Sequence, residues 1–253
     1  MFSLEPPRTN FDLHFQLFGV PTRIHPGFWL VSFLLGFNVS EGGKYPLPVL
    51  IYMGVVFVSI LLHELGHAIA MRRYGYAPRI VLYHMGGLAI PEESYSFGSR
   101  RSRRDAWSQI LISLAGPGAG FLLAGVVIMM IFVGGGRFWV EPYLSLIPWR
   151  FSPASSWPDA VTKLVSYMLF VNIFWGLINL VPVLPLDGGQ VSRELFMLRD
   201  KYNGLRNAIM LSIGVGIVMA VALFSFDEQF AAIMFALLAV SNYLMLQQLG
   251  RYS

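Results

Sequence analysis

The chain has 253 residues, of which 55% are hydrophobic and 13% are charged, and its formal net charge at pH 7 is +4. A soluble domain carries about 25% charged residues, so this composition excludes an ordinary soluble domain and indicates an integral membrane protein. The chain contains no cysteine, which excludes disulfides, cysteine zinc sites and a thiol nucleophile.

Apolar runs long enough to cross a bilayer as helices, about 20 residues each, follow one another along the chain. The first run, residues 28–39, is short, and it either spans with a few flanking residues or lies in the interface. Five longer runs cover residues 47–71, 106–133, 161–180, 207–224 and 230–249. We therefore predict an all-α polytopic membrane protein with about six transmembrane helices, in a single domain over residues 1–253.

Basic residues are distributed unequally between the loops of this map. With the N-terminus in the cytoplasm, 14 of the 18 Lys and Arg residues fall in cytoplasmic segments, seven of them between residues 72 and 105. This asymmetry agrees with the positive-inside rule. We therefore predict cytoplasmic N- and C-termini and a second helix that runs inward. The positive charge is explained by topology, so we predict no nucleic-acid partner.

The string "HELGH", His63–His67, lies near the inner end of the second predicted helix. Residues four apart share a helix face, so His63 and His67 can hold one metal ion together. Glu64 lies about 100° around the helix from His63 and is placed to act on a water molecule instead. Zinc peptidases divide the roles in this way, with two His ligands and a Glu as general base. Because ionisable side chains at membrane depth are costly, this position favours a functional site over a chance string.

A catalytic zinc site needs a third protein ligand and an open fourth position. The best candidate is Asp187 in "NLVPVLPLDGGQ", which follows the helix predicted over residues 161–180. That helix also runs inward, so we expect Asp187 on the same side of the membrane as His67 and at a similar depth. Pro182 and Pro185 break the helix, and irregular backbone at membrane depth is tolerated where it lines a cavity. Alone, the segment would also fit a plain helix end followed by an Asp-Gly turn.

Together, "HELGH" and "NLVPVLPLDG", Asn179–Gly188, resemble the two motifs of the site-2 protease family of intramembrane metalloproteases. The resemblance implies that one zinc ion binds His63, His67 and Asp187, that Glu64 is the general base and that Asn179 engages the substrate backbone. It also implies an endopeptidase that cleaves transmembrane segments of membrane-protein substrates in the lipid bilayer, in regulated intramembrane proteolysis.

Shorter segments extend the resemblance over residues 18–196, with a catalytic core at roughly residues 47–200. "FGVPTRIHPGFWL" looks like the family segment before the first helix, and "GGLA", Gly86–Ala89, looks like the glycine pair of a membrane-associated β-hairpin loop after the second helix. "AGPGAG" looks like the Gly-Pro stretch of the next helix, although Gly120 stands where the family often has Asn. The PDZ and CBS domains of some members have no counterpart here.

Two other classes of protein remain compatible with these residues. One is a catalytically silent relative that binds membrane proteins, and the other is a metal or small-solute transporter that uses His, Glu and Asp as transport ligands. Only a hydrolase explains why a Glu stands beside the first His. The roles of His84 and Asn172 stay open at this stage, as do the substrate and the oligomeric state. His84 is either a loop residue or a group acting at the site, and Asn172 either bonds between helices or lines the cavity.

Overall fold

A computed structural model describes residues 5–39, 45–92, 105–140 and 149–250. The chain divides into two compact units, one made of residues 1–102 and 118–176 and the other of residues 103–117 and 177–253. The helices are α1 (Pro26–Val39), α2 (Pro46–Arg73), α3 (Ala106–Val133), α4 (Asp159–Leu169), α5 (Gly176–Asn179), α6 (Asp187–Arg199), α7 (Gly204–Ser225) and α8 (Gln229–Gly250). A π-helical segment, Phe170–Trp175, joins α4 to α5. The strands are β1 (Leu13–Leu17), β2 (Val20–Ile24), β3 (Ala77–Tyr83), β4 (Gly86–Glu92), β5 (Arg137–Val140) and β6 (Trp149–Ser152).

Among the described residues, five helical stretches are long and apolar enough to cross a membrane: Pro46–Arg73, Ala106–Val133, Asp159–Asn179, Gly204–Ser225 and Gln229–Leu249. They coincide with the five long predicted runs, and α1 coincides with the short one. With 14 residues, α1 is about 21 Å long, whereas a hydrocarbon core is about 30 Å thick. The predicted polytopic helical membrane protein is confirmed. Because α1 is shorter than the hydrocarbon core is thick, it is not among the five long spans, and the predicted number of six spans is approximate.

Helix α2 is the central helix of the first unit. Pro46 opens it at a position where a missing backbone N–H breaks no helical hydrogen bond, and Arg72 and Arg73 occupy its last turn, where positive charge is favourable. The helix packs against α1, α4, β3 and β4. His63 lies about 26 Å along α2 from Pro46. The metal motif is therefore in the second half of the helix, and the 17 residues that precede it, 46–62, are available to cross the hydrocarbon core.

The first unit also holds a four-stranded sheet in the order β1-β2-β3-β4. Strands β3 and β4 form an antiparallel hairpin, β1 and β2 form a second one, and β2 pairs with β3 in parallel. The hairpin predicted after the second helix is confirmed. Strands β1 and β2 are not among the predicted elements, although Leu13, Phe15 and Leu17 alternate with polar residues as strand residues do.

Arg23 ties the residues before β1 to the sheet. Its buried guanidinium donates to Asp12 Oδ2 at 2.8 Å and to Glu5 Oε1 at 2.9 Å. Burial acts to raise the pKa of Asp12, but hydrogen bonds from Thr9 and the neighbouring charge of Arg23 outweigh it and hold this pKa at about 2. A hydrogen bond from Arg79 lowers the pKa of Glu5. Both carboxylates are therefore ionised at neutral pH and paired with Arg side chains of β2 and β3.

In the second unit, α7 packs against both α6 and α8. A Cβ added at Gly216 of α7 would lie 3.2 Å from the Cβ of Ala239, so small residues allow α7 and α8 to approach closely, as is common between membrane helices. Between α5 and α6 the chain leaves the helical conformation, and Pro182 and Pro185 lie in this stretch as predicted. The connection ends at Leu186, directly before Asp187 opens α6.

Candidate active site

His63 and His67 lie one turn apart on the buried face of α2. Their Nε2 atoms are 3.1 Å apart, and their rings meet edge to face with centroids 4.8 Å apart. Two imidazole ligands about 2.05 Å from a tetrahedral zinc ion would have nitrogens about 3.3 Å apart. The observed separation therefore fits a pair of metal ligands as well as a direct N–H···N contact. Both side chains are buried, as the sequence predicts for a site at membrane depth.

Asn172 fixes the turn of α2 that precedes His63. Its Nδ2 donates to Ser59 Oγ at 2.9 Å and to the carbonyl of Met168 at 2.8 Å, and both Asn172 and Ser59 are buried. Ser59 lies four residues before His63, so this contact holds the helix one turn away from the first His. The open question about Asn172 is thus answered in favour of a hydrogen bond between helices. The π-helical segment that contains it is a feature often found at functional sites.

Gly120 of α3 lies beside the same Asn172. A Cβ added at Gly120 would be 3.6 Å from Asn172 Oδ1 and 3.5 Å from its backbone oxygen. The family motif often carries Asn at the position of Gly120. In this chain the carboxamide beside that position belongs to Asn172 of the π-helical segment instead. Gly120, which differs from the Asn often found in the family, has no side chain of its own beside Asn172.

Glu64 packs against the backbone of strand β4. A Cβ added at Gly87 would overlap Cγ, Cδ and Oε1 of Glu64, so only glycine leaves this space to the carboxylate. Glu64 is 6% exposed. The hairpin therefore limits where the Glu64 side chain can lie, which is a direct link between the β3–β4 hairpin and the proposed general base. The sequence identifies "GGLA" as a family feature but does not indicate this contact.

Asp187 is the first residue of α6, where the helix dipole stabilises a negative charge. The two glycines that follow it allow unusually close backbone contacts. A Cβ at Gly188 would overlap the carbonyls of Leu180 and Val181, and a Cβ at Gly189 would overlap the backbone of Val183 and Leu184. Gly188 and Gly189 are therefore required by the close approach of the first turn of α6 to the preceding connection.

His63, His67 and Asp187 form the one group of three or more His, Asp or Glu residues, among the residues that the structure describes, that could hold a metal ion. One ligand atom from each of the three lies within 4.8 Å of the others. Two imidazole nitrogens and one carboxylate are a donor set of catalytic zinc sites. The group is therefore compatible with zinc.

Asn179 is the last residue of α5 and is 8% exposed. Within the described part of the chain, no hydrogen bond from its carboxamide is found. A carboxamide offers two N–H donors and one oxygen acceptor.

Among the described residues, His84 and His25 are not members of the metal-binding group. His84 is exposed in the turn between β3 and β4 and contacts Tyr83 edge to face. His25 precedes α1, and its Nδ1 accepts a hydrogen bond from the backbone N–H of Gly27 at 3.0 Å. His25 therefore acts at the start of a helix, which agrees with the weak ligand signal in its sequence context.

Comparison with known proteins gives consistent results. The family model of peptidase family M50 matches residues 51–147 and 147–223, which is well over half of the chain. The zinc metalloprotease MJ0392 of Methanocaldococcus jannaschii is 26% identical over 213 residues, covering 83% of this chain and 52% of that protein. The chain thus spans about half the length of this curated relative.

The solved structure of a site-2 protease from Methanocaldococcus jannaschii has a similar fold. The two structures superpose with a TM-score of 0.53 over 94% of each chain, at 20% sequence identity. At this identity, the likeness concerns the fold. The family match and the fold confirm the resemblance read from "HELGH" and "NLVPVLPLDG": the chain belongs to peptidase family M50, the family of the site-2 proteases.

Proposed function

We propose that this chain is an intramembrane zinc endopeptidase that cleaves transmembrane segments of membrane-protein substrates, in regulated intramembrane proteolysis. The observation that carries the proposal is the grouping of His63, His67 and Asp187 in a chain with five apolar spans. The match to a zinc metalloprotease relative supports the choice of zinc. We assign one zinc ion per chain to these three side chains.

The proposed reaction divides between the metal and the side chains of this chain. When bound, zinc lowers the pKa of a coordinated water to about 7 and polarises a carbonyl. Glu64 accepts the proton of the attacking water and delivers it to the leaving amine as the peptide bond breaks. The close approach of Gly87 supports this role, because it limits the positions that the Glu64 carboxylate can take.

A substrate helix must unwind before its peptide bonds can be hydrolysed. Within the described strands, β4 lies at the edge of the four-stranded sheet. An extended substrate segment can add to such an edge through backbone hydrogen bonds. We assign a second contact to Asn179, whose carboxamide can pair with an opened substrate backbone through both donors and its acceptor.

The orientation of the protein follows from its basic residues, with the termini and the metal-binding end in the cytoplasm. Several of the basic residues that carry this inference, among them Arg100, Arg101, Arg103 and Arg104, lie outside the described residues. Two exposed positions of the described part test it. The α6–α7 connection at Tyr202 is predicted to be cytoplasmic, and the α7–α8 turn at Glu228 is predicted to lie on the far side.

The first prediction concerns this topology. In a chain with no native cysteine, a membrane-impermeant thiol reagent applied to intact cells should label Glu228→Cys and leave Tyr202→Cys unlabelled until the cells are opened. The reverse pattern would place the proposed active site on the outer side of the membrane.

The second prediction concerns the metal. His67→Ala and Asp187→Ala should each remove most of the bound zinc, because three protein ligands are needed to hold the ion. Elemental analysis of the purified proteins measures the loss from about one zinc per chain. His14→Ala and Asp159→Ala are matched controls at exposed positions and should keep their zinc. Full retention of zinc in both site variants would refute the ligand assignment.

The third prediction concerns the general base. Glu64→Gln should keep its fold and its zinc but lose about 10²- to 10⁴-fold in turnover of a membrane substrate, because the amide cannot accept a proton from water. Glu228→Gln, an exposed change of the same kind, serves as the control. Wild-type turnover by the Glu64 variant would exclude this mechanism, and would leave a silent binding protein or a transporter as the better interpretation.

The fourth prediction concerns Asn179. Asn179→Ala should lower turnover while zinc content and melting temperature stay at wild-type values, because the carboxamide is assigned to the substrate. Asn203→Ala, at an exposed loop position, is the control. A fall in melting temperature with a proportionate loss of turnover would instead show that Asn179 stabilises the end of its helix.

A further inference from the structure

The backbone of Leu184, three residues before Asp187, is held at both its N–H and its carbonyl by polar side chains of the last two helices. The N–H of Leu184 donates to Ser212 Oγ of α7 at 3.1 Å, and the carbonyl of Leu184 accepts from Asn242 Nδ2 of α8 at 2.7 Å. All three residues are buried, with exposed fractions of 6% for Leu184, 0% for Ser212 and 4% for Asn242. The two helices therefore each supply one polar group to the backbone of the same residue, α7 to its N–H and α8 to its carbonyl.

Each of these side chains is also anchored to its own helix. Ser212 Oγ donates to the carbonyl of Ala208 at 2.9 Å, and Asn242 Nδ2 donates its second proton to the carbonyl of Leu238 at 2.8 Å. The hydroxyl thus donates once and accepts once, and the amide uses both of its protons. Because these bonds anchor both side chains to their own helices, α7 and α8 constrain where the backbone of Leu184 lies.

The position of Leu184 is transmitted to Asp187 by direct backbone contacts. The N–H of Leu186 donates to the carbonyl of Val183 at 2.9 Å, which closes a tight turn directly before α6. In the first turn of α6, Gly189 lies so close to the Val183–Leu184 peptide that a Cβ there would overlap its backbone. Asp187 belongs to the same helical turn as Gly189 and is therefore coupled to the Leu184 backbone that Ser212 and Asn242 hold.

We propose that Ser212 and Asn242 are positioning residues for the metal ligand Asp187, acting through the backbone of Leu184. This inference rests on the proposed function, in which Asp187 is a zinc ligand. Metal sites require ligand atoms within a few tenths of an ångström of their ideal distances, so a small shift of the α6 turn weakens binding. The last two helices thereby gain a role in the metal site although neither contributes a ligand to the proposed set.

The test compares zinc affinity with stability in Ser212→Ala and Asn242→Leu. The zinc dissociation constant is measured by competition with a chelator, and the melting temperature is measured for the metal-free and the zinc-loaded protein. We expect the dissociation constant to rise about 10- to 100-fold, as it does when supporting partners of metal ligands are removed. The increase in melting temperature on zinc binding should shrink accordingly, since that increment reports affinity.

Ser32→Ala is the matched control for Ser212→Ala. Ser32 is also buried, and its Oγ donates to the carbonyl four residues earlier, Phe28, at 2.8 Å, but it belongs to α1 of the first unit. It should lower the melting temperature of both forms alike and leave zinc affinity unchanged. Ser212→Thr keeps the hydroxyl and should retain more of the zinc affinity than Ser212→Ala, even where its extra methyl group lowers stability.

The outcomes separate this inference from the proposed function. If Asp187→Ala binds zinc as tightly as the wild-type protein, the ligand assignment itself fails. If Asp187→Ala loses zinc while Ser212→Ala and Asn242→Leu keep the wild-type dissociation constant, the positioning role is overturned and the two residues only stabilise the fold. Weaker zinc binding in both variants with unchanged affinity in Ser32→Ala supports the inference.

Discussion

A polar group in hydrocarbon must find a partner inside the protein, and this constraint organises the whole structure. Helix α2 shows it most directly, because it buries His63, Glu64 and His67 in an otherwise strongly apolar span. A helix that only had to cross the membrane would gain nothing from these side chains. Their presence is accounted for by the proposed function, in which His63 and His67 bind a metal ion together with Asp187 and Glu64 is the general base.

The same constraint governs the break between α5 and α6. A stretch of non-helical backbone exposes N–H and C=O groups that helical hydrogen bonds no longer satisfy, and each buried unsatisfied group costs about 1–3 kcal/mol. Ser212 and Asn242 meet this need at Leu184, at the point where the chain turns toward Asp187. The same two hydrogen bonds therefore satisfy the backbone groups of Leu184 and, in our proposal, position Asp187.

Glycine is required where the backbone of one element touches another near the site. Gly87 leaves space for the Glu64 side chain, and Gly188 and Gly189 let the first turn of α6 rest on the preceding connection. In each case a single methyl group would overlap atoms that the proposed chemistry needs in place. At these positions the backbone of the hairpin and of the Asp-Gly-Gly turn packs closely against neighbouring groups, and a larger residue would not fit.

Much of this protein could be read from its sequence. The apolar runs predicted the five long spans, because the thickness of the hydrocarbon core sets the length of a crossing helix. The four-residue spacing of His63 and His67 predicted their shared face, because helix geometry alone decides it. The motif containing Asp187 pointed to the third member of the group through its resemblance to a known family.

The tertiary structure decided the contacts between residues that lie far apart in the chain. The pairing of β2 with β3, the packing of Gly87 on Glu64 and the bond from Asn172 to Ser59 join distant segments, and no local pattern reports them. Ser212 and Asn242 appear in the sequence only as isolated polar residues in apolar helices, and which peptide they bind depends on how the helices pack. Periodicity and spacing describe a single element, whereas hydrogen bonds of this kind exist only once separate elements have been brought together.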